Sequence, residues 1–316
     1  MKTPSMLVGA LFVALTATAA RADTLKVPKQ FDTIQAAVDA AVADDVIVVA
    51  KGHYAPFSVV GKTGLTIKGK GHPVIDGGGA DAPIVVVDSC TSVVLRGLTV
   101  SNGADRGIEV TDCTDVLISK CRVDDVDGEG IYLTGDFHMV QKCRFENTGL
   151  EAIAIGDGSS DVWVDKSRFT DTASAITFRG DGHIATRNRI KDSQNEGFVI
   201  QGTNCDIEKN VFDGVVDDAL DVEGDDNVFW KNKIRHVGSN GVEVEAGVAV
   251  PLDATGNLFV KNSVSKVLQN GYFAGAAGNT FVKNKAKQAG GLGLLDTAGP
   301  DANYYEKNHF GTKSFE

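Results

Sequence analysis

One six-residue signature recurs along the chain at nearly constant intervals, and that periodicity constrains the fold more than any other feature. It reads ISKCRV from 118, VQKCRF from 140, VDKSRF from 164, ATRNRI from 185 and IEKNVF from 207. It continues as FWKNKI from 229, FVKNSV from 259, FVKNKA from 281 and YEKNHF from 305. Its fourth position runs Cys121, Cys143, Ser167, Asn188, Asn210, Asn232, Asn262, Asn284 and Asn308, with spacings of 22, 24, 21, 22, 22, 30, 22 and 24. A second signature follows the column residue by eight or nine positions, a small residue and then apolar-x-apolar: GIYL at 130, AIAI at 152, AITF at 175, GFVI at 197, ALDV at 219 and GVEV at 241, with an earlier copy, GIEV, at 107.

A self-similar period of this length is the mark of a solenoid. Each period holds short runs of alternating apolar residues bounded by Gly, Asp and Asn, and none has a helical period, so each turn is read as three short strands. Stacked turns of that kind form a parallel β-helix, each rung hydrogen-bonded to the next at about 4.8 Å. The Asn column is expected at a tight corner, where Asn tolerates the left-handed backbone conformation and stacked amides bond along the column. About ten rungs are expected in one elongated domain over residues 23–316.

The first 22 residues read as a leader. Lys2 opens a positive segment, Met6–Leu15 is apolar, and Ala20-Arg21-Ala22 is an A-x-A cleavage site. A secreted or periplasmic protein cleaved after Ala22 follows. The apolar run is shorter than a membrane span requires. Export permits disulfides, and the chain has five Cys. Cys121 and Cys143 share one corner on successive rungs, where either a disulfide or two small buried thiols would fit.

With these segments in hand, the chain resembles the right-handed parallel β-helix superfamily of pectate lyases and polygalacturonases. Its opening, FDTIQAAVDAAVADDVIVVAKGHY with GLTIKGKG and VIDGGG after it, resembles the N-terminal cap of that superfamily. The resemblance implies an all-β, single-stranded right-handed parallel β-helix with a short capping helix at about 30–50. Asp32 is expected to N-cap a helix reaching Ala43, with Ile34, Ala37, Val38 and Ala41 covering the open end of the coil. It also implies that a polysaccharide or oligosaccharide lies along the outer face of the strand built from the second signature.

On that strand the outward column is Glu109, Tyr132, Ala154, Thr177, Val199, Asp221, Glu243 and Phe273. Acids stack on adjacent rungs: Glu196 by Asp218, Asp221 by Glu243, and Glu223 by Glu245, with Asp217, Asp225 and Asp226 nearby. Like charges at rung spacing repel by roughly 1 kcal/mol even in water, so the cluster calls for a cation or for a carboxyl that keeps its proton. Asp218, Asp221, Glu243 and Glu245 are the candidate ligands of a Ca²⁺ ion, an all-oxygen set. Asn195-Glu196-Gly197 resembles the N-T-D-G rung of polygalacturonases and Asp217-Asp218-Ala219-Leu220 their D-D rung. The following rungs, Ser239-Asn240-Gly241 and Asn270-Gly271-Tyr272-Phe273, lack that family's His and its Arg and Lys. Arg179 resembles the arginine-bearing rung of chondroitinase-B-like lyases, although Gly156 stands where that family places a Lys.

Glu196, Asp217, Asp218 and Arg179 are thus the catalytic candidates. Asp221, Glu223, Glu243, Tyr132 and Phe273 are the candidates for holding a glycan. Two functions remain open, a polysaccharide lyase, epimerase or glycoside hydrolase, and a non-catalytic glycan-binding or structural surface or periplasmic protein on the same scaffold. The net charge of −11 argues against a nucleic-acid partner. Three Met and six His are few for copper handling. A monomer is expected. The opposite corner carries a basic ridge, Lys120, Lys142, Lys166, Arg187 and their successors, with Arg122, Arg144, Arg168 and Arg189 after them. It is read as a solvated face or as a seat for an anionic glycan or lipid headgroups.

Overall fold

A computed structural model describes residues 22–247, 253–299 and 301–315; the expected leader, apart from Ala22, lies outside the described residues. Three parallel sheets run the length of the molecule. Sheet 1 has 13 strands, from Thr24–Val27 to Tyr304–Glu306. Sheet 2 has 12, from His53–Tyr54 to His309–Phe310, and sheet 3 has 12, from Phe57–Val60 to Lys313–Phe315. One turn takes one strand from each: Leu117–Ser119, then Arg122–Val126, then Ile131–Asp136, and back to sheet 1 at Met139–Gln141. The 13 strands of sheet 1 exceed the ten rungs expected, because the first turns lack the K-N signature and escape a count based on it.

Alternation buries the middle residue of most three-residue sheet 1 strands, while five-residue sheet 2 strands often bury two apolar residues, as Val123 and Val126 or Ile234 and Val237. Phe229, Phe259 and Phe281 are consecutive inward residues of sheet 1, with ring centroids 4.5 and 4.7 Å apart and planes within 8° of parallel. Tyr305 extends the pile at 5.1 Å. Burial of each ring contributes roughly 2–3 kcal/mol, and rung spacing is the natural distance for stacking.

The corners differ from the expectation in an instructive way. The left-handed residue between sheets 1 and 2 is the basic residue before the column, not the column residue: φ is +55° at Lys120, +56° at Lys209 and +57° at Lys261. That twist turns the basic side chain outward and drops the next residue into the interior. Asn210 is then wholly buried; its N–H donates to Asn232 Oδ1 at 2.9 Å, and its Nδ2 donates to the Ala185 carbonyl at 2.9 Å. Asn232, Asn262 and Asn284 repeat both contacts. The amide is used because it offers donor and acceptor together in a place without water.

The same device serves the corner between sheets 3 and 1. Asn227, Asn257, Asn279 and Asn303 form a second buried ladder through their Oδ1 atoms. Earlier in the same column His138 and His183 accept the Val116 and Val162 N–H groups at Nδ1, at 3.1 and 3.2 Å. Burial lowers the proton affinity of both imidazoles, which suits a neutral ring that accepts at Nδ1 and donates from Nε2 to a carbonyl. His183 is thus a ladder residue.

The cap helix, α1 (Ile34–Ala40), is shorter than expected and is N-capped by Thr33, whose hydroxyl accepts the Ala36 N–H at 3.1 Å. Ile34, Ala37 and Val38 are buried against the first strands, as expected. All five Cys are buried free thiols, so of the two readings for Cys121 and Cys143 the thiol pair holds. Among the described residues no helix is long and apolar enough to cross a membrane.

Candidate functional site

The second signature forms sheet 3, and its outward column is the one read from the sequence. Glu109, Tyr132, Ala154, Thr177, Val199, Asp221, Glu243 and Phe273 are direct neighbours in succession. The small residue opening each strand is required by packing: a Cβ on Gly241 would meet Val264 Cγ1 at 2.3 Å. The chain therefore dives inward there, and the polar residue just before it stays at the mouth of the turn.

Those residues before the dive make a third ladder. The Asp218 carboxylate accepts the Asn240 N–H, and Asn240 Oδ1 accepts the Asn270 N–H at 3.1 Å. Asn270 Oδ1 then accepts the Leu292 N–H at 3.0 Å. This ladder runs in the opposite sense to the other two. Asp218 is only 6% exposed and holds the chain as well as facing the acids.

The acids are brought together much as expected. Burial raises Asp221 to about 7, and the charges of Glu223, Asp218, Glu196 and Glu245 add to it. Burial also lifts Glu243 far above the carboxylate range, and a hydrogen bond to Asp218 holds its proton in place. Asp217 is raised by burial and then by Asp218 and Glu196. Each group is pushed the same way because packing crowds the carboxyls out of water and against one another. Glu196 accepts the Ser174 hydroxyl at 2.7 Å. Phe273 lies beside Glu243, half-buried, and its ring and the Glu245 Cβ both border Gly275.

Arg179 reaches the cluster indirectly. Its Nε donates to Gln201 Oε1 at 2.9 Å, and Gln201 Nε2 donates to Glu223 Oε2 at 3.0 Å. Gln201, which was not among the candidates, couples the two ends of the site; its place between Arg179 and Glu223 in the repeat was the available signal. Tyr132 stands apart. It lies four strands from Asp221, under the Arg106 guanidinium at 4.2 Å, and Arg106 also pairs with Glu109 and with Glu129.

A family model described as "Right handed beta helix region" matches residues 57–169 and 174–312. The chain belongs to that family. The β-helix protein is also 25% identical over 236 residues to a polygalacturonase of Saccharomyces cerevisiae, a match that covers 66% of this chain and 63% of that enzyme. Among solved structures, the alginate lyase of Paenibacillus sp. str. FPU-7 superimposes with a TM-score of 0.60 at 18% identity, covering 91% of this chain and 99% of that one. The tailspike of the E. coli bacteriophage HK620, solved in complex with a pentasaccharide, gives a TM-score of 0.57 at 12% identity, covering 84% of this chain and 55% of that one. At such identities these structures share the fold with the β-helix protein and nothing finer.

Among the described residues no three His, Cys, Asp or Glu groups come together as a metal-holding set. Glu243 holds its proton against Asp218, and Asp218 also accepts the Asn240 N–H. Part of the loop beside Glu245, residues 248–252, lies outside the described residues.

Proposed function

We propose that this β-helix protein binds a glycan along the outer face of sheet 3 and hydrolyses it at the Asp218–Asp221–Glu243 cluster. The observation that carries the reading is the retained proton: Glu243 is held protonated against Asp218 while Asp221, on the adjoining strand, titrates near 7. Glycoside hydrolysis needs one carboxylic acid and one carboxylate flanking the same linkage. Glu243 protonates the leaving oxygen as the anomeric C–O bond breaks. Asp221 or Glu196 takes the proton of the water whose oxygen bonds to the anomeric carbon. Phe273 offers an apolar face to a neighbouring sugar ring. The relation to a polygalacturonase and the fold shared with glycan-degrading enzymes support the substrate class.

A neutral sugar is favoured at the cleaved linkage. A uronate carboxylate laid against the ionised members of the cluster would be repelled by roughly 1 kcal/mol for each close partner. Elimination would also require a cation over the uronate, and the guanidinium of Arg179 is held by Gln201.

The test incubates purified protein, with and without Ca²⁺, with neutral β- and α-glucans, polygalacturonate, alginate and chondroitin sulfate. New reducing ends and unsaturated products are both followed. Hydrolysis of a neutral glycan is expected, with Glu243→Gln and Asp221→Asn each reducing it about 100-fold or more. Unsaturated products, cleavage confined to the polyuronates, or full activity in both variants would overturn the reading.

A further inference from the structure

We propose that the corner between sheets 1 and 2 is a second binding site, built to hold a linear acidic polysaccharide along the solenoid axis. Arg122, Arg144, Arg168 and Arg189 open four consecutive strands of sheet 2 and are direct neighbours in that order. All four are exposed, and none enters an ion pair among the described residues. A parallel column, Lys120, Lys142, Lys166 and Arg187, is turned outward by left-handed backbone angles of +51° to +58°. Lys142, Lys166, Arg168, Arg187, Arg189 and Lys209 together line a groove of about 510 Å³.

Few acids answer this charge. Asp165 takes Arg187 at 2.7 Å and Lys166 at 3.5 Å, and Glu208 takes Lys209 at 3.2 Å. Asp124 and Glu146 occupy the next outward positions on the first two strands, but Thr170 and Lys191 do so on the next two. The positive field is therefore strongest at Arg168 and Arg189. It reaches beyond the groove: after burial, the charges of Arg122 and Arg144 lower the proton affinity of His72.

Like charges stacked at rung spacing repel, and folding does not require them here, since the buried Asn, Ser and Cys residues hold the corner. The chain carries an excess of acids that would have neutralised the column had they been placed beside it. A ligand with a regular row of anionic groups relieves the repulsion, and a sugar residue advances an extended polysaccharide by nearly the length of one rung. Guanidinium forks pair with carboxylate or sulfate in two parallel hydrogen bonds. A membrane is the poorer match: the exposed large apolar residues are Val42, Val60, Phe137, Leu150, Val216, Leu268, Tyr304 and Phe315, and none lies at this corner.

The site is independent of the acid face, and the experiment separates them. Binding of fluorescently labelled heparin and polygalacturonate oligosaccharides is measured by anisotropy at 50 and 300 mM NaCl, beside flotation with vesicles containing phosphatidylglycerol. Wild-type protein and Asp221→Asn should bind the oligosaccharides equally and more weakly at the higher salt. The triple variant Arg144→Gln/Arg168→Gln/Arg189→Gln should lose affinity at least 10-fold with a melting temperature no lower than that of the wild type. Lys261→Gln/Lys283→Gln, farther along the same corner, should change it less than 2-fold. Absence of binding at 50 mM NaCl, equal binding by the triple variant, or binding only to vesicles would overturn the proposal.

Discussion

The acid face of sheet 3 and the basic corner between sheets 1 and 2 present the same problem, like charges stacked one rung apart, and resolve it in opposite ways. The acids sit where the chain dives into the core. Burial there is deep enough that the cheapest response is to keep protons, held on Glu243 against Asp218 and on Asp221 up to about 7. The bases project from a left-handed turn into water, which screens them and leaves their charge intact. One stack becomes a set of proton donors and acceptors, the other a strip of permanent charge. Exposure decides between the two outcomes.

The corner's stability should reside in the buried amides and not in the charges above them. Asn232 accepts from Asn210 N–H and donates to the Ile207 carbonyl at 2.7 Å, so Asn232→Ala strands two backbone groups in the core. A loss of roughly 2–3 kcal/mol is expected in urea unfolding, because each buried unpaired group costs about 1–3 kcal/mol. A loss within error would show that water reaches the column and that the corner, like the ridge above it, is a surface.

A smaller effect of the opposite sign is expected on the acid face. Asp221 binds its proton to about 7 when folded but only to its ordinary value near 3.8 when unfolded. Between those values the folded state carries more protons, so its contribution to stability is greatest below pH 4 and is lost as pH rises to 7. Asp221→Asn removes that penalty. It should stabilise the protein by about 2 kcal/mol at pH 8, a figure reduced for the water at the mouth of the site, and by almost nothing at pH 4. Equal effects at both pH values would mean that Asp221 is not held protonated and that the two stacks behave alike.

The smallest change belongs to the exposed stack. Arg144→Gln with Arg168→Gln should raise stability by about 0.5 kcal/mol in dilute buffer and leave it unchanged in 0.5 M NaCl, as for other surface charges. A larger gain that persists in salt would place these arginines in a less aqueous setting than their exposure indicates.

The repeat made the outward column of sheet 3 legible residue by residue, because period-2 alternation sets the facing of a strand once its register is known. Asp221 and Glu243 were found for that reason, and Glu196 and Asp218 by their place just before the small residue of the same signature. The second ladder was harder to see, since His138, Val162, His183, Cys205 and Asn227 share a column without sharing a side-chain type. Its later members stand five residues before the first ladder, as in Asn227 and Asn232 or Asn257 and Asn262, and that spacing was the readable signal. The left-handed turn was assigned to Asn from its known tolerance for that conformation, whereas the corner assigns it to Lys and gives Asn the buried amide's role.

The amino-acid sequence alone determined the solenoid, the three strands per turn, the small residue at each dive and the gathering of acids on one face and bases on another. These follow from local periodicity, which a chain cannot hide. Only the tertiary structure decided which acids keep their protons, that Asp218 is also a ladder residue, and that Gln201 links Arg179 to Glu223. Each of these depends on burial and on distances between rungs. Those quantities arise from packing one turn on the next and are written in no single turn.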